Sequence, residues 1–369
     1  MVILFLIASL IVGTTKNQAA VDYDAGLRAA SHQQISLAIE HFQQAVQIDP
    51  DLSDAHFRLG LIFTNHEQWR RAIQSFGKAI MADPNYLEAR YRLGEAYLVG
   101  TAQAVEAAEQ LKSVIAADPN HLAARQLLGQ AHLRLHQPEL AVAILEKAQS
   151  ADPTINYDLG LARYRTADLQ GAVDSFQQVV SVQPNHVQAH FHLAQCYRQL
   201  GQGQKSKQSL HTFELLRQQA DQIANLQQYL AVDSSNARAW AQLGRLFLRQ
   251  EAWTEAISAF QNGVTHQPTE ASFCEQLGYA YMKNQDYSSA QLIFQELTQR
   301  YPQSVEYRNS LGISLAMQNL LPEAISQFET ARQLDPTDPQ IHFNLYRFYQ
   351  KTGGRRRAQQ AFQRYQQLQ

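Results

Sequence analysis

The sequence predicts an all-α fold, an array of stacked helix pairs, and three recurring columns of residues predict it. A glycine returns at Gly26, Gly60, Gly94, Gly129, Gly160, Gly244, Gly278 and Gly312, mostly 34 residues apart, and all but the first follow a leucine. A small residue with a large apolar one four positions on returns at Ala38/Phe42, Ala72/Phe76, Ala107/Leu111, Ala141/Leu145, Ala172/Phe176, Ala256/Phe260, Ala290/Phe294, Ala324/Phe328 and Ala358/Phe362. A proline column follows, at Pro50, Pro84, Pro119, Pro153, Pro184, Pro268, Pro302 and Pro336. A fixed period of this length marks a chain built from one repeated supersecondary unit.

Each column has a physical task. A glycine inside a helix costs about 1 kcal/mol against alanine, so its return in every first helix predicts a close approach there. The alanine of the second helix serves the same contact, and the Phe or Leu one turn later fills the space between the paired helices. Proline cannot continue a helix, so it ends the second helix and opens the next unit. The aspartate before it, as in Asp49-Pro50 and Asp83-Pro84, suits a turn. One unit cannot bury its own face; stacked neighbours can.

Taken in order, the chain opens with an apolar run, Met1–Gly13, that holds no charged side chain. Thirteen residues of helix rise about 20 Å, short of the roughly 30 Å of a bilayer core. Residues 1–18 are therefore expected to be a signal-peptide-like or anchor segment, although no Lys or Arg precedes the run and the small-residue pattern near Ala19-Ala20 is poor. Six repeats are expected over 19–219, the last atypical because Ala194 replaces the glycine, Ser206 replaces the alanine and no proline follows. The apolar period runs on through Leu210, Phe213, Leu216, Ile223, Leu226 and Leu230, which predicts an extended or additional helix over 220–236. Four further repeats fill 237–369, and Tyr346 takes the glycine's place in the last.

The columns resemble the tetratricopeptide repeat, W-x2-L-G-x2-Y, A-x3-F, P, with about ten repeats covering nearly everything after the N-terminal segment. The resemblance implies a right-handed superhelical solenoid of antiparallel helix pairs whose inner wall is built from first helices. It also implies a protein-binding role.

Composition narrows the function classes. A formal net charge of -2 offers no general field for phosphates, so nucleic acid is not an expected partner. Two cysteines, Cys196 and Cys274, cannot build a disulfide framework or a four-cysteine zinc site and are expected to be small core residues. About 50 glutamines are spread along the chain instead of sitting in tracts.

Catalytic and ligand-binding motifs occur in the sequence only as near-misses. Gly201-Gln202-Gly203-Gln204-Lys205-Ser206 partly matches a phosphate loop, but its glycine and lysine are not adjacent, no strand precedes it, and it falls where the other repeats turn. His186 and His190 stand four apart with His192 nearby; no third metal ligand presents itself, and His190 occupies the place where the family often has Trp. Arg355-Arg356-Arg357 offers a contact for an acidic lipid or partner; its simpler role is to solvate the start of the last helix. No enzyme, cofactor or metal site is expected.

Two residues before the glycine stand Asp24, Arg58, Arg92, Leu127, Asp158, His192, Gln242, Gln276, Ser310 and Asn344, which is not the asparagine ladder of sugar-transfer relatives. The surroundings of Arg58 and Arg92 do not match the basic clamp for acidic chaperone tails.

The inner-wall stripe lies three before, one after and four after the glycine, positions that share one helix face. It yields the expected partner-binding set Phe57, Arg58, Leu61, Tyr91, Arg92, Glu95, Tyr157, Leu161 and Tyr164, with the aromatics as anchors and solvent-facing Arg58 and Arg92 adding a salt-dependent share. In the C-terminal array the stripe includes Arg245, Tyr279 and Met282. The expected function is a non-catalytic scaffold or assembly factor that binds partner peptides or helices; the alternative is an accessory subunit of a sugar-transfer or other enzymatic complex. The expected location is exported, periplasmic, extracellular, or membrane-associated through the N-terminal segment.

Overall fold

The structure, a computed structural model, describes residues 2–148 and 152–369, with side chains from residue 16 onward. Among the described residues it holds twenty helices and no strand. They form consecutive pairs: α1 (Val2–Ser31) with α2 (Ile35–Ile48), α3 (Ser53–Asn65) with α4 (Trp69–Ala82), α5 (Leu87–Glu95) with α6 (Ala104–Ala117), and α7 (Leu122–Arg134) with α8 (Pro138–Leu145). Next come α9 (Pro153–Arg165) with α10 (Leu169–Val182), and α11 (Val187–Gln199) with α12 (Gly203–Val232). The remaining pairs are α13 (Ala237–Arg249) with α14 (Trp253–His266), α15 (Ala271–Lys283) with α16 (Tyr287–Arg300), α17 (Val305–Met317) with α18 (Leu321–Leu334), and α19 (Pro339–Lys351) with α20 (Arg355–Leu368). The chain divides into two compact units, 1–214 and 215–369.

Inside each pair the columns meet as their chemistry requires. The aromatic ring of the second helix lies directly on the glycine of the first: a Cβ on Gly60 would fall 2.4 Å from Phe76, and one on Gly312 would fall 2.6 Å from Phe328. The close approach thus comes from a ring against bare backbone. The rings of Phe42, Phe76, Phe176, Phe260, Phe294 and Phe328 are all sealed from solvent. The second helices bury a narrow stripe, as in α4 with Ala72, Ser75, Phe76 and Ala79, the i, i+3, i+4, i+7 pattern of a helix packed on one side.

The turns between pairs are locally determined. Asp83 Oδ1 accepts the Asn85 N–H at 2.9 Å and Asp335 Oδ1 accepts the Thr337 N–H at 2.8 Å, so the aspartate, where one precedes the proline, folds the chain back on itself. The proline carbonyl that follows is orphaned by the turn, and a side chain six residues on satisfies it. His56 Nε2 reaches the Pro50 oxygen at 3.0 Å, His190 Nε2 reaches Pro184 at 2.8 Å and His342 Nε2 reaches Pro336 at 2.9 Å. Arg90, Arg125 and Arg308 donate in the same way to Pro84, Pro119 and Pro302. Trp240 Nε1 donates to the Ser234 oxygen at 2.8 Å. One column of unlike residues shares one hydrogen bond.

Two segments depart from the regular unit. Gly94 and Ala107 stand one residue further apart than Gly60 and Ala72, and the extra residue is absorbed in a π-helical turn, Ala96–Gly100, at the end of α5. Trp69 lies on Gly100 there, where a Cβ would come within 2.3 Å of its ring. In the sixth pair, Ser206 Oγ donates to the Ala194 carbonyl at 2.8 Å. With no proline to stop it, α12 runs on as one helix of 30 residues until Asp233 folds the chain by accepting the Ser235 N–H at 3.1 Å.

The side chains of Met1–Gly13, on which the signal or anchor expectation rests, lie outside the described residues. No helix among the described residues is long and apolar enough to cross a membrane.

Candidate functional site

The expected partner-binding residues all sit in the first unit, on α3, α5 and α9, and their environments differ. Phe57 is a correction to the anchor set: its ring is 7% exposed, packed 5.8 Å from Phe76 and 5.0 Å from Tyr86 between ring centroids, and it belongs to the core. Tyr91, Tyr157 and Tyr164 are half-buried. Each meets a histidine of the next repeat: Tyr91 lies 4.8 Å from His121, Tyr157 lies 4.8 Å from His186, and Tyr164 lies 6.0 Å from His192. Leu61 and Leu161 are half-buried beside them.

The arginines are less free than the stripe implies. Arg92 pairs with Glu88 at 2.9 Å and with Glu95 at 3.0 Å, and its guanidinium lies 5.1 Å from the Tyr91 ring centroid. Its side chain stays 36% exposed, so these are surface pairs, and part of its charge is already met before any partner arrives. Arg58 is exposed, with the Tyr23 hydroxyl near enough to raise its pKa. Glu95 serves as the ion-pair partner of Arg92.

A polar centre that the anchor set omits lies among the same helices. Asp158 of α9 is 8% exposed and accepts hydrogen bonds from Gln130 Nε2 at 2.8 Å and Gln126 Nε2 at 3.2 Å, both on α7. Gln126 also donates to Thr154 Oγ1 at 3.0 Å. On the α11 side, His192 stacks on Phe176 with centroids 5.3 Å apart, and Gln199 Nε2 donates to the Tyr164 hydroxyl at 2.9 Å. Burial pushes the Asp158 carboxyl above its ordinary value, with the two glutamine amides opposing, and it pushes the His192 imidazole down. Burial also raises the Tyr91 and Tyr157 phenols, which therefore remain hydroxyls at neutral pH. These cross-links tie α7, α9 and α11 into one wall with tyrosine rings, an acidic centre and amide donors.

The near-misses acquire plain roles. Gly201, at a φ of 73°, makes the turn between α11 and α12. His190 is engaged by the Pro184 carbonyl, and His186 Nδ1 accepts the Ala189 N–H at 3.1 Å. Cys196 is fully buried and its thiol is pushed up to about 11 by that burial. Asp158, Gln126 and Gln130 are visible in the sequence only as scattered positions two before, three before and one after a glycine. What joins them is a contact between helices that no local pattern encodes.

A chain of helix pairs in which, in eight pairs of ten, the second helix sets an aromatic or leucine on the glycine of the first defines a helical-repeat protein. This chain belongs to the tetratricopeptide-repeat family. Family models described as tetratricopeptide repeat match residues 157–206, 223–271 and 276–339 and residues 98–164, and one described as TPR repeat matches 26–66. Repeats of this family serve as protein-interaction scaffolds, and that is the general class of the chain.

Among curated proteins, the general transcriptional corepressor ssn6 of Schizosaccharomyces pombe is 25% identical over 131 residues, 35% of this chain and 12% of the corepressor. Among solved structures, MamA is 20% identical, with 45% of this chain and 92% of MamA covered at a TM-score of 0.43. YrrB, described as a TPR protein with an unusual peptide-binding site, is 20% identical over 47% of this chain and 91% of its own, at 0.44. PilW, described as a widely conserved type IV pilus biogenesis factor, is 18% identical over 52% of this chain and 90% of its own, at 0.43.

Proposed function

We propose that this chain is a non-catalytic scaffold that holds a peptide segment or an amphipathic helix of a partner protein against the first helices α5, α7, α9 and α11. One observation carries the reading: Tyr91, Tyr157 and Tyr164 are half-buried and already fixed against histidines. Rings held in place lose little freedom on binding, and interfaces draw most of their affinity from a few such aromatic groups. Asp158 with its two glutamines supplies a polar point that sets the register of the bound segment.

Crosslinking mass spectrometry in the native host identifies the partner, and titration then tests the wall. Tyr91→Ala and Tyr164→Ala should each cost about 2 kcal/mol, roughly a thirty-fold loss of affinity, with helicity and melting unchanged. If both bind like the parent while changes at Arg245, Tyr279 or Met282 abolish binding, recognition lies in the second unit. A partner that is an enzyme subunit makes the chain an accessory of that complex.

The apolar run Met1–Gly13 directs this scaffold to a membrane or across it. N-terminal sequencing of protein from the native host should find the segment removed, or find the intact chain in the membrane fraction. Intact Met1 on a soluble cytoplasmic species would sink that part of the proposal.

A further inference from the structure

The arginine run near the C-terminus is left unused by the wall of first helices, and the structure gives it a setting of its own. Arg355, Arg356 and Arg357 form the first turn of α20. There the exposed N–H groups of the helix already concentrate positive potential, and cations are disfavoured. No acidic residue lies anywhere in Arg355–Leu368 to offset them, and Arg364 adds a fourth charge two turns on.

Beside this helix, between α18, α19 and α20, a cleft of about 880 Å³ opens in the second unit. Arg332 of α18 and Arg357 and Arg364 of α20 line it, with the buried rings of Tyr349 and His342 beneath. Its single carboxylate, Glu329, is already held by Arg332 at 2.5 Å and by the Tyr349 hydroxyl at 2.5 Å. Arg357 lies over the Tyr349 ring, 5.7 Å from its centroid, and Arg364 reaches only the Gln367 amide oxygen, at 3.2 Å. Neither has a carboxylate partner among the described residues. Two guanidinium groups thus share a cleft with no counter-charge left to meet them.

The geometry points to a second docking site, a cationic cleft that takes an extended acidic segment of a partner protein through Arg357 and Arg364. The spacing selects the ligand. Seven residues of helix set the two arginines about 10.5 Å apart along α20. In a polyproline-II segment, residues three apart share a face and lie about 9 Å apart, so carboxylates at every third residue match the pair. Planar guanidinium groups also grip carboxylates with two parallel hydrogen bonds. The site shares no residue with the tyrosine wall and goes beyond the function proposed above.

The test is fluorescence anisotropy at low salt with a short fluorescein-labelled peptide carrying glutamate at every third position. Two comparison peptides are needed, one with glutamine in place of glutamate and one with the same glutamates grouped together. The full chain should bind the spaced acidic peptide at least tenfold more tightly than either, and added salt should weaken that binding. The Arg357→Gln/Arg364→Gln protein should lose tenfold or more with its melting unchanged, and Arg364→Gln alone should show part of the loss. Tyr164→Ala should bind this peptide like the parent. The inference is overturned if the parent binds all three peptides alike, if the arginine substitutions leave binding unchanged, or if Tyr164→Ala abolishes it. It is also overturned if the arginines carry the chain onto phosphatidylserine vesicles while the peptide is ignored.

Discussion

Asp158 is where a single residue most clearly couples packing to pH. Its carboxyl is buried and held above the 3.8 of a free aspartate, so the native chain binds that proton more tightly than the unfolded chain does. The stability from this group is therefore full below 3.8 and is lost as pH rises through the raised native value. His56, His186 and His192 act in the opposite sense: burial lowers each, so their contribution is full above 6.5 and fades as pH falls through the depressed values. Asp158→Asn keeps an acceptor for Gln126 and Gln130 and removes the buried charge. Urea unfolding across a pH series should find this variant at least as stable as the parent near neutrality, with an advantage that shrinks toward acid. Asp158→Ala leaves both amides without that acceptor and should cost about 1 to 3 kcal/mol. An advantage for Asp158→Asn that does not vary with pH would contradict this account. The same scale explains why the stripe was only partly legible. Phe57, Tyr91 and Tyr157 occupy one column, yet Phe57 is core while the tyrosines are half-exposed. The residue that meets each ring stands two after the next proline: Tyr86, His121 and His186 in turn. Exposure in one repeat is set by a side chain of the next, and a pattern read within one repeat does not contain it.

At the level of helices and turns the sequence was far more explicit, because the punctuation is local. Gly, Ala, Phe and Pro columns fix where each pair begins, touches and ends. The π-helical turn at Ala96–Gly100 was not legible, since a single added residue does not say where the helix will widen to hold it. The turn inside each pair has its own constraint, a residue with positive φ, filled by Gln33, Glu67, Ala102, His136, Ala167, Glu251, Gln285 and Asn319 and by Gly201 and Gly353. Gly201, at 73°, and Gly203, at the start of α12 with open space around its Cα, therefore answer oppositely to the same change. Gly201→Ala should lower stability by about 1 kcal/mol, the cost of a side chain in the left-handed region. Gly203→Ala should raise it by about 0.4 to 1 kcal/mol by restricting the unfolded chain. Chemical denaturation of the two variants side by side checks the pair, and equal effects would show that the turn does not govern this segment.

Across the whole molecule, stability is assembled from neighbours. The buried side chains fall into successive clusters that follow the chain, from Ala29 through Leu93 in the first pairs to Cys274 through Ala361 in the last. Within each unit, a pair draws its support from the pairs beside it, as expected of a quasi-one-dimensional array. Phe76 and Phe294, at 0% and 2% exposed, fill equivalent places far apart in this order. Truncating either to alanine removes a ring from between two helices and should cost about 3 to 5 kcal/mol. The loss should stay local. Hydrogen exchange on Phe76→Ala should quicken from α1 to α6 while α15 to α20 keep their protection, and Phe294→Ala should invert that map. A uniform rise in exchange along the chain for either variant would mean that the pairs unfold as one cooperative body, and the neighbour-by-neighbour account of this fold would have to be given up.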